Sequence, residues 1–160
     1  YAINAADLTF RWSFDLGAGV FIKGFVWEDA GRLYFTTSDG YAWCLDGSTG
    51  QPAAPPGSPA GSCPWKSHDG ITYSPVPGAS TPLLLGAPNP GLYVGSYDGA
   101  AASGQKGKLY QINRTTGLKE KQVVVGDGEK QVGDVSTETW ADIFVGTSEG
   151  KIFKFSLPLP

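Results

Sequence analysis

Leu33-Tyr34-Phe35-Thr36-Thr37-Ser38-Asp39-Gly40, running into Tyr41-Ala42-Trp43-Cys44-Leu45-Asp46-Gly47-Ser48-Thr49-Gly50, is the stretch that decides the fold. An alternating apolar strand meets an acidic-Gly turn and returns as a second alternating strand, the pattern of a β-hairpin. The same pattern recurs from Leu92 to Gly99, continuing after an insertion as Lys108–Gly117. It recurs again from Ile143 to Gly150, continuing as Lys151–Ser156. A hairpin repeated at such an interval marks a repeat architecture.

Spacing narrows the kind of repeat. Tyr34 and Tyr93 are 59 positions apart (93 − 34), and Tyr93 and Phe144 are 51 apart (144 − 93). Allowing for the Pro-rich stretch 52–64 and the insertion Ala100–Gly107, the unit approaches the roughly 40–50 residues of a four-stranded propeller blade. No sustained 3.6-residue apolar period supports helical repeats. The expected fold is all-β: a partial β-propeller of about three four-stranded antiparallel blades. Taking 1–160 as one propeller segment, the blades are expected near 8–50, 71–117 and 118–157. In that scheme Leu8–Phe14 opens the first blade, Leu118–Val125 opens the third, and the first strand of the middle blade lies within Gly70–Val76.

The run Ser38-Asp39-Gly40, strand, Leu45-Asp46-Gly47-Ser48-Thr49-Gly50 resembles the repeat of pyrroloquinoline-quinone dehydrogenase-like β-propellers. In those repeats an Asp-Gly turn precedes an aromatic-aliphatic strand ending in Asp-x-x-Thr-Gly. Residues 107–117 match with Asn113 and Arg114 in the turn, and 149–156 match without the terminal Thr-Gly. The resemblance implies the propeller fold. For chemistry it implies a quinone held by many blades with a calcium ion in the quinoprotein enzymes, and plain interaction scaffolds in many other members. The chain lacks vicinal cysteines, and no aromatic follows Gly50 or Gly117 in Gln51–Ala54 or Leu118–Lys121. A scaffold or binding module is therefore the preferred expectation, with no cofactor; a fragment of a quinoprotein oxidoreductase is the alternative.

Composition fits an all-β chain that buries a core. Gly 23 and Pro 12 supply turns, 12% aromatic residues favour strands, and 41% hydrophobic residues suffice for packing. A formal net charge of −3, with no basic cluster, argues against a nucleic-acid surface. The longest apolar run, Pro82–Pro88, is too short to span a bilayer as a helix, and no targeting segment is visible. With no Met, the chain is expected to be a processed or excised piece opening at Tyr1. Three blades are too few to close a ring. The expected partners are further propeller blades, other protein chains or copies of itself, the last making a self-associating building block.

No catalytic constellation stands out. His68, the only histidine, lies in the turn-like run Lys66–Gly70, and one His with two distant Cys cannot supply a zinc set. Gly95–Gly99 and Gly126–Glu129 lack the ligand alternation of calcium loops. Asp39, Asp98 and Glu149 hold equivalent turn positions, so they lie too far apart for a carboxylate pair. Cys44 and Cys63 are expected to form a disulfide, worth roughly 3 kcal/mol on a loop of that length, which points to an extracellular, periplasmic or secretory compartment. Two unrelated thiols are the alternative. Trp65, between Pro64 and Lys66 in the long loop Gln51–Gly70, is the candidate partner contact, with packing back on the blade edge as its alternative. The sequon Asn113-Arg114-Thr115 reads as a repeat turn ahead of a glycosylation site.

Overall fold

A computed structural model describes residues 1–51, 65–66, 80–96, 107–126 and 132–160. Thirteen strands in four antiparallel sheets make up the regular structure among them. The first sheet pairs β1 (Ala2–Ile3) with β2 (Phe10–Trp12). The second holds β3 (Ile22–Asp29), β4 (Arg32–Thr37), β5 (Ala42–Asp46) and β6 (Trp65–Lys66), in that order. The third holds β7 (Leu83–Leu85), β8 (Gly91–Gly95), β9 (Lys108–Ile112) and β10 (Lys119–Val124). The fourth holds β11 (Val132–Ser136), β12 (Asp142–Thr147) and β13 (Ile152–Ser156). We call these sheets N, 1, 2 and 3. Every strand pairs with its chain neighbour, as a propeller of meander sheets requires.

The turns explain the pairings. Ala30 and Gly31, both at positive φ (52° and 78°), reverse the chain between β3 and β4 in the two-residue form that suits twisted strands. Between β4 and β5, Gly40 (φ 85°) closes the turn by donating its N–H to the Thr37 carbonyl at 2.9 Å. Gly150 (φ 73°) does the same toward Thr147 between β12 and β13, at 3.1 Å. The Asp-x-x-Thr-Gly segment is a second recurring turn. Asp46 Oδ1 accepts the Ser48 and Thr49 amides, and the Gly50 amide donates to the Asp46 carbonyl at 2.7 Å. Asn113 repeats this with Thr115, Thr116 and Gly117.

That turn occurs once more, at Asn4–Thr9, where the sequence gives no Thr-Gly. Asn4 Oδ1 accepts the Ala6 amide, Leu8 donates to the Asn4 carbonyl at 2.7 Å, and Leu8 stands at φ 58° where Gly50 and Gly117 stand. A β-hairpin turn that short can only fold the chain back onto the strand it leaves. So Leu8–Phe14, expected to open the first blade, pairs instead with β1 in sheet N. For the same reason Lys119–Val124 is the fourth strand of sheet 2, paired with β9, and does not open the unit expected at 118–157. The units are shifted by one strand throughout: β3, β7 and β11 come first, and the strand after the Asx turn comes last. The expected opening strand within Gly70–Val76 lies outside the described residues.

The sheets pack face to face, and strand alternation sends neighbouring residues to opposite sides. Tyr34, Ala42 and Cys44 of sheet 1 meet Leu92, Val94, Tyr110 and Ile112 of sheet 2, all between 0% and 2% exposed. On the other side of sheet 2, Tyr93, Leu83, Leu85 and Leu109 meet Val132, Val135, Ile143 and Val145 of sheet 3. Sheet 2 is thus buried on both faces, and all five residues of β8 are buried.

Candidate interaction faces

The contacts between sheets follow one scheme. From sheet 1, Thr36 Oγ1 donates to the Ser80 carbonyl at 2.7 Å and Trp27 Nε1 donates to the Pro82 carbonyl at 2.6 Å. Arg114 of the sheet 2 turn pairs with Asp29 of sheet 1. From sheet 3, the Val132 amide donates to the Ser96 carbonyl at 3.0 Å, and Asp134 Oδ1 accepts the Thr81 amide at 2.9 Å. The backbones approach so closely that a Cβ on Gly95 would lie 2.6 Å from the Gly133 carbonyl oxygen. Glycine is required there because any side chain would drive the sheets apart.

Two buried phenols sit at these interfaces, and the hydroxyl of Tyr34 bonds across one of them. The Tyr34 hydroxyl donates to the Arg114 carbonyl and the Tyr93 hydroxyl to the Asn89 carbonyl, each at 3.2 Å. Burial raises both pKa values, since a phenolate would lose its hydration. For Tyr93 the value is pushed up to about 12, by burial first and the nearby Glu120 charge second.

The two ends of the stack differ: the N-terminal segment lies over the outer face of sheet 1, leaving Phe35 and Leu45 only 2% exposed, whereas the outer face of sheet 3 has no sheet against it among the described residues. On sheet 1 an apolar cavity of about 250 Å3 lies against Leu33, Phe35, Leu45, Ile22 and Val26, with Tyr1, Ala2, Trp12 and Phe14 of the N-terminal segment along its other wall. Phe25 is 76% exposed beside it, and Phe21, Ile22 and Val26 are exposed too. At the far end, sheet 3 turns Phe144, Gly146, Ile152 and Lys154 outward, with Ile152 78% exposed. Lys154 pairs with Asp142 at 3.0 Å. Apolar patches of this kind on sheet faces mark contact surfaces.

The structure places the sequence candidates as follows. Cys44 is fully buried against sheet 2, and there is no free cysteine among the described residues. Cys63 lies outside them. Trp65 sits in β6, the edge strand of sheet 1, opposite Cys44. Asp39 accepts a hydrogen bond from Thr37 Oγ1, and Glu149 one from Ser148 Oγ, so both serve their turns. Asn113 is likewise engaged, its amide nitrogen donating to Glu120 at 2.7 Å. His68, Asp98, the run Asp127–Glu129 and the insertion Ala100–Lys106 lie outside the described residues. Among the described residues, no group of three His, Cys, Asp or Glu side chains is placed to hold a metal ion. Nor is any helix there long and apolar enough to cross a membrane. Reading the strands alone left open which residues form the end faces, because which side of a strand faces outward depends on how the units are phased.

No protein-family model matches the chain, and no curated protein matches it. Fifteen chains of solved structures do match. Among them is the crystal structure of BamB from Moraxella catarrhalis, at 18% identity and a TM-score of 0.60. The match covers 97% of this chain and 39% of that one, so the chain spans about two fifths of the solved protein's length. At that identity the likeness carries the architecture alone: these four sheets are part of a β-propeller.

Proposed function

We propose that this chain is a non-catalytic β-propeller segment, residues 1–160, of an extracytoplasmic binding or assembly protein. The observation that carries the reading is the exposed apolar side chains on the outer sheets of the stack, Phe25 at 76% on sheet 1 and Ile152 at 78% on sheet 3. A stiff stack with such surfaces is suited to packing against further sheets or protein chains. Specificity is assigned to the loops, with Trp65 in the edge strand β6 as the proposed contact. The test has two arms. Turnover of an alcohol or sugar with added pyrroloquinoline quinone and calcium is expected to be nil, and measurable turnover overturns the non-catalytic half. At micromolar concentration the chain is expected to associate, and a stable monomer overturns that half.

The compartment rests on a proposed Cys44–Cys63 disulfide. Buried Cys44 lies on β5, and residues 44 and 63 flank the Pro/Gly-rich segment before β6. Mass spectrometry of non-reduced protein after alkylation is expected to show no alkylated cysteine. Two alkylated thiols would remove the bridge and with it the argument for an oxidising compartment.

A further inference from the structure

We propose that Asn113 is a site of N-linked glycosylation, with the first sugar seated over the polar cavity that opens beside it. The inference rests on the extracytoplasmic half of the reading above and adds to it a modification of the chain's own surface.

Asn113-Arg114-Thr115 is the only Asn-x-Ser/Thr run in the chain, since Asn4 is followed by Ala-Ala and Asn89 by Pro-Gly. The structure separates what the turn needs from what a glycan needs. The turn uses the side-chain oxygen: Asn113 Oδ1 accepts the Thr115 and Thr116 amides at 2.8 and 3.0 Å. At the matching place in sheet 1, Asp46 makes the same contacts with Ser48 and Thr49, and it has an oxygen where Asn113 has its nitrogen. The turn therefore forms without an amide nitrogen. In Asn113 that nitrogen carries two hydrogens. One is donated to Glu120 Oε1 at 2.7 Å, and the other is the one that a bond to sugar replaces.

Space lies where the bond would form. All three residues of the run line a cavity of about 220 Å3, with Pro90 and Glu120 as its other walls. Pro90, Thr115 and Glu120 are exposed and Asn113 and Arg114 half-buried, so a growing oligosaccharide has a way out to solvent. The walls offer a hydroxyl and a carboxylate to sugar hydroxyls, and a proline ring to the sugar's apolar face. The Arg114 charge is paired with Asp29, which suits a neutral ligand. The turn belongs to sheet 2, which is packed on both faces, so its surroundings are set by neighbours within the described residues.

The donor is an oligosaccharide carried on a lipid pyrophosphate. A bond forms between Nδ2 and the anomeric carbon, the bond from that carbon to the pyrophosphate oxygen breaks, and Nδ2 gives up one proton to solvent. The product keeps its side-chain oxygen on Thr115 and Thr116, so the turn survives the modification. A glycan there keeps protein partners off the turn side of sheet 2.

The full chain, secreted from a eukaryotic cell behind a cleavable leader, tests this by mass spectrometry before and after peptide-N-glycosidase. The expected result is one oligosaccharide per chain, released by the enzyme with an aspartate left in place of Asn113. Asn113→Asp keeps the turn oxygen, as Asp46 does, and Thr115→Ala keeps Asn113 itself. Both are expected to lose the glycan and retain the circular dichroism spectrum. Secreted chain with unmodified Asn113, or a glycan that survives Asn113→Asp, overturns the site. Alkylation of the same material separates this from the compartment: unmodified Asn113 with no alkylated cysteine overturns the site alone, and with two alkylated thiols overturns both. A glycan together with two alkylated thiols upholds the site and removes the disulfide argument.

Discussion

Tyr93 shows how much a single side chain is asked to do in a stack of sheets. It fills the interface between sheets 2 and 3, is fully buried, and anchors its hydroxyl on the Asn89 carbonyl. Because its pKa is raised from 10.0 to about 12 on folding, the stabilisation it lends is complete below pH 10. It is lost as the pH climbs from 10 toward about 12, where the folded state too must ionise. Ultraviolet titration is expected to show a late tyrosinate step near pH 12 that coincides with unfolding and is reduced in Tyr93→Phe. Ionisation of every tyrosine near pH 10 with the fold intact would refute this. Leu8 shows the opposite economy. It adopts a left-handed conformation that costs an ordinary residue about 1–2 kcal/mol, and the Asn4 turn holds it there. Without a glycine to mark it, that turn was invisible in the sequence.

Among the elements, burial sets an order of stability. β8 has neighbours on both edges and packed sheets on both faces, whereas β1 and β2 form a two-stranded ribbon with Ile3 and Phe10 exposed. Such a ribbon, though tied to sheet 1 by the Trp12 Nε1 hydrogen bond to the Gly47 carbonyl, opens more readily than the central strands. Amide exchange is expected to be at least about 100-fold slower at Leu92–Gly95 than at Ala2–Ile3, a gap of about 3 kcal/mol. Equal rates would mean that the N-terminal ribbon is bound into the cooperative unit. The hairpins themselves were legible because alternation and acidic-Gly turns are local signals, and β4, β5, β8, β9, β12 and β13 lie where the pattern put them. Their grouping was not. Strands alternating in the same way fit either neighbour, and only the hydrogen bonds show that Lys119–Val124 closes one sheet and does not begin the next.

For the whole molecule, the candidate surfaces were legible only in outline, as the outer sides of a row of repeated sheets. Which residues form those sides depends on the phase of the sheets. Once that phase is known, Phe144 and Gly146 stand out by comparison with their covered counterparts Tyr93 and Gly95. Trp65, singled out as a lone aromatic in a long loop, proves to lie on an edge strand, a place that suits contact but does not single out a partner.

The close passage of Gly95 against Gly133 also bears on how such a chain can change over generations. At both junctions an aromatic, Tyr34 or Tyr93, faces the successor and an aliphatic pair, Leu92 with Val94 or Ile143 with Val145, faces the predecessor, while the place of Gly95 is held by Thr36 between sheets 1 and 2. A gene segment encoding one such unit, copied in tandem, would arrive with both sides already fitted to its neighbours. Growth and shortening by whole units therefore leave no junction to be reinvented. Thr36 shows that the glycine is one local solution among others, so its loss at Gly95 would disturb that junction alone.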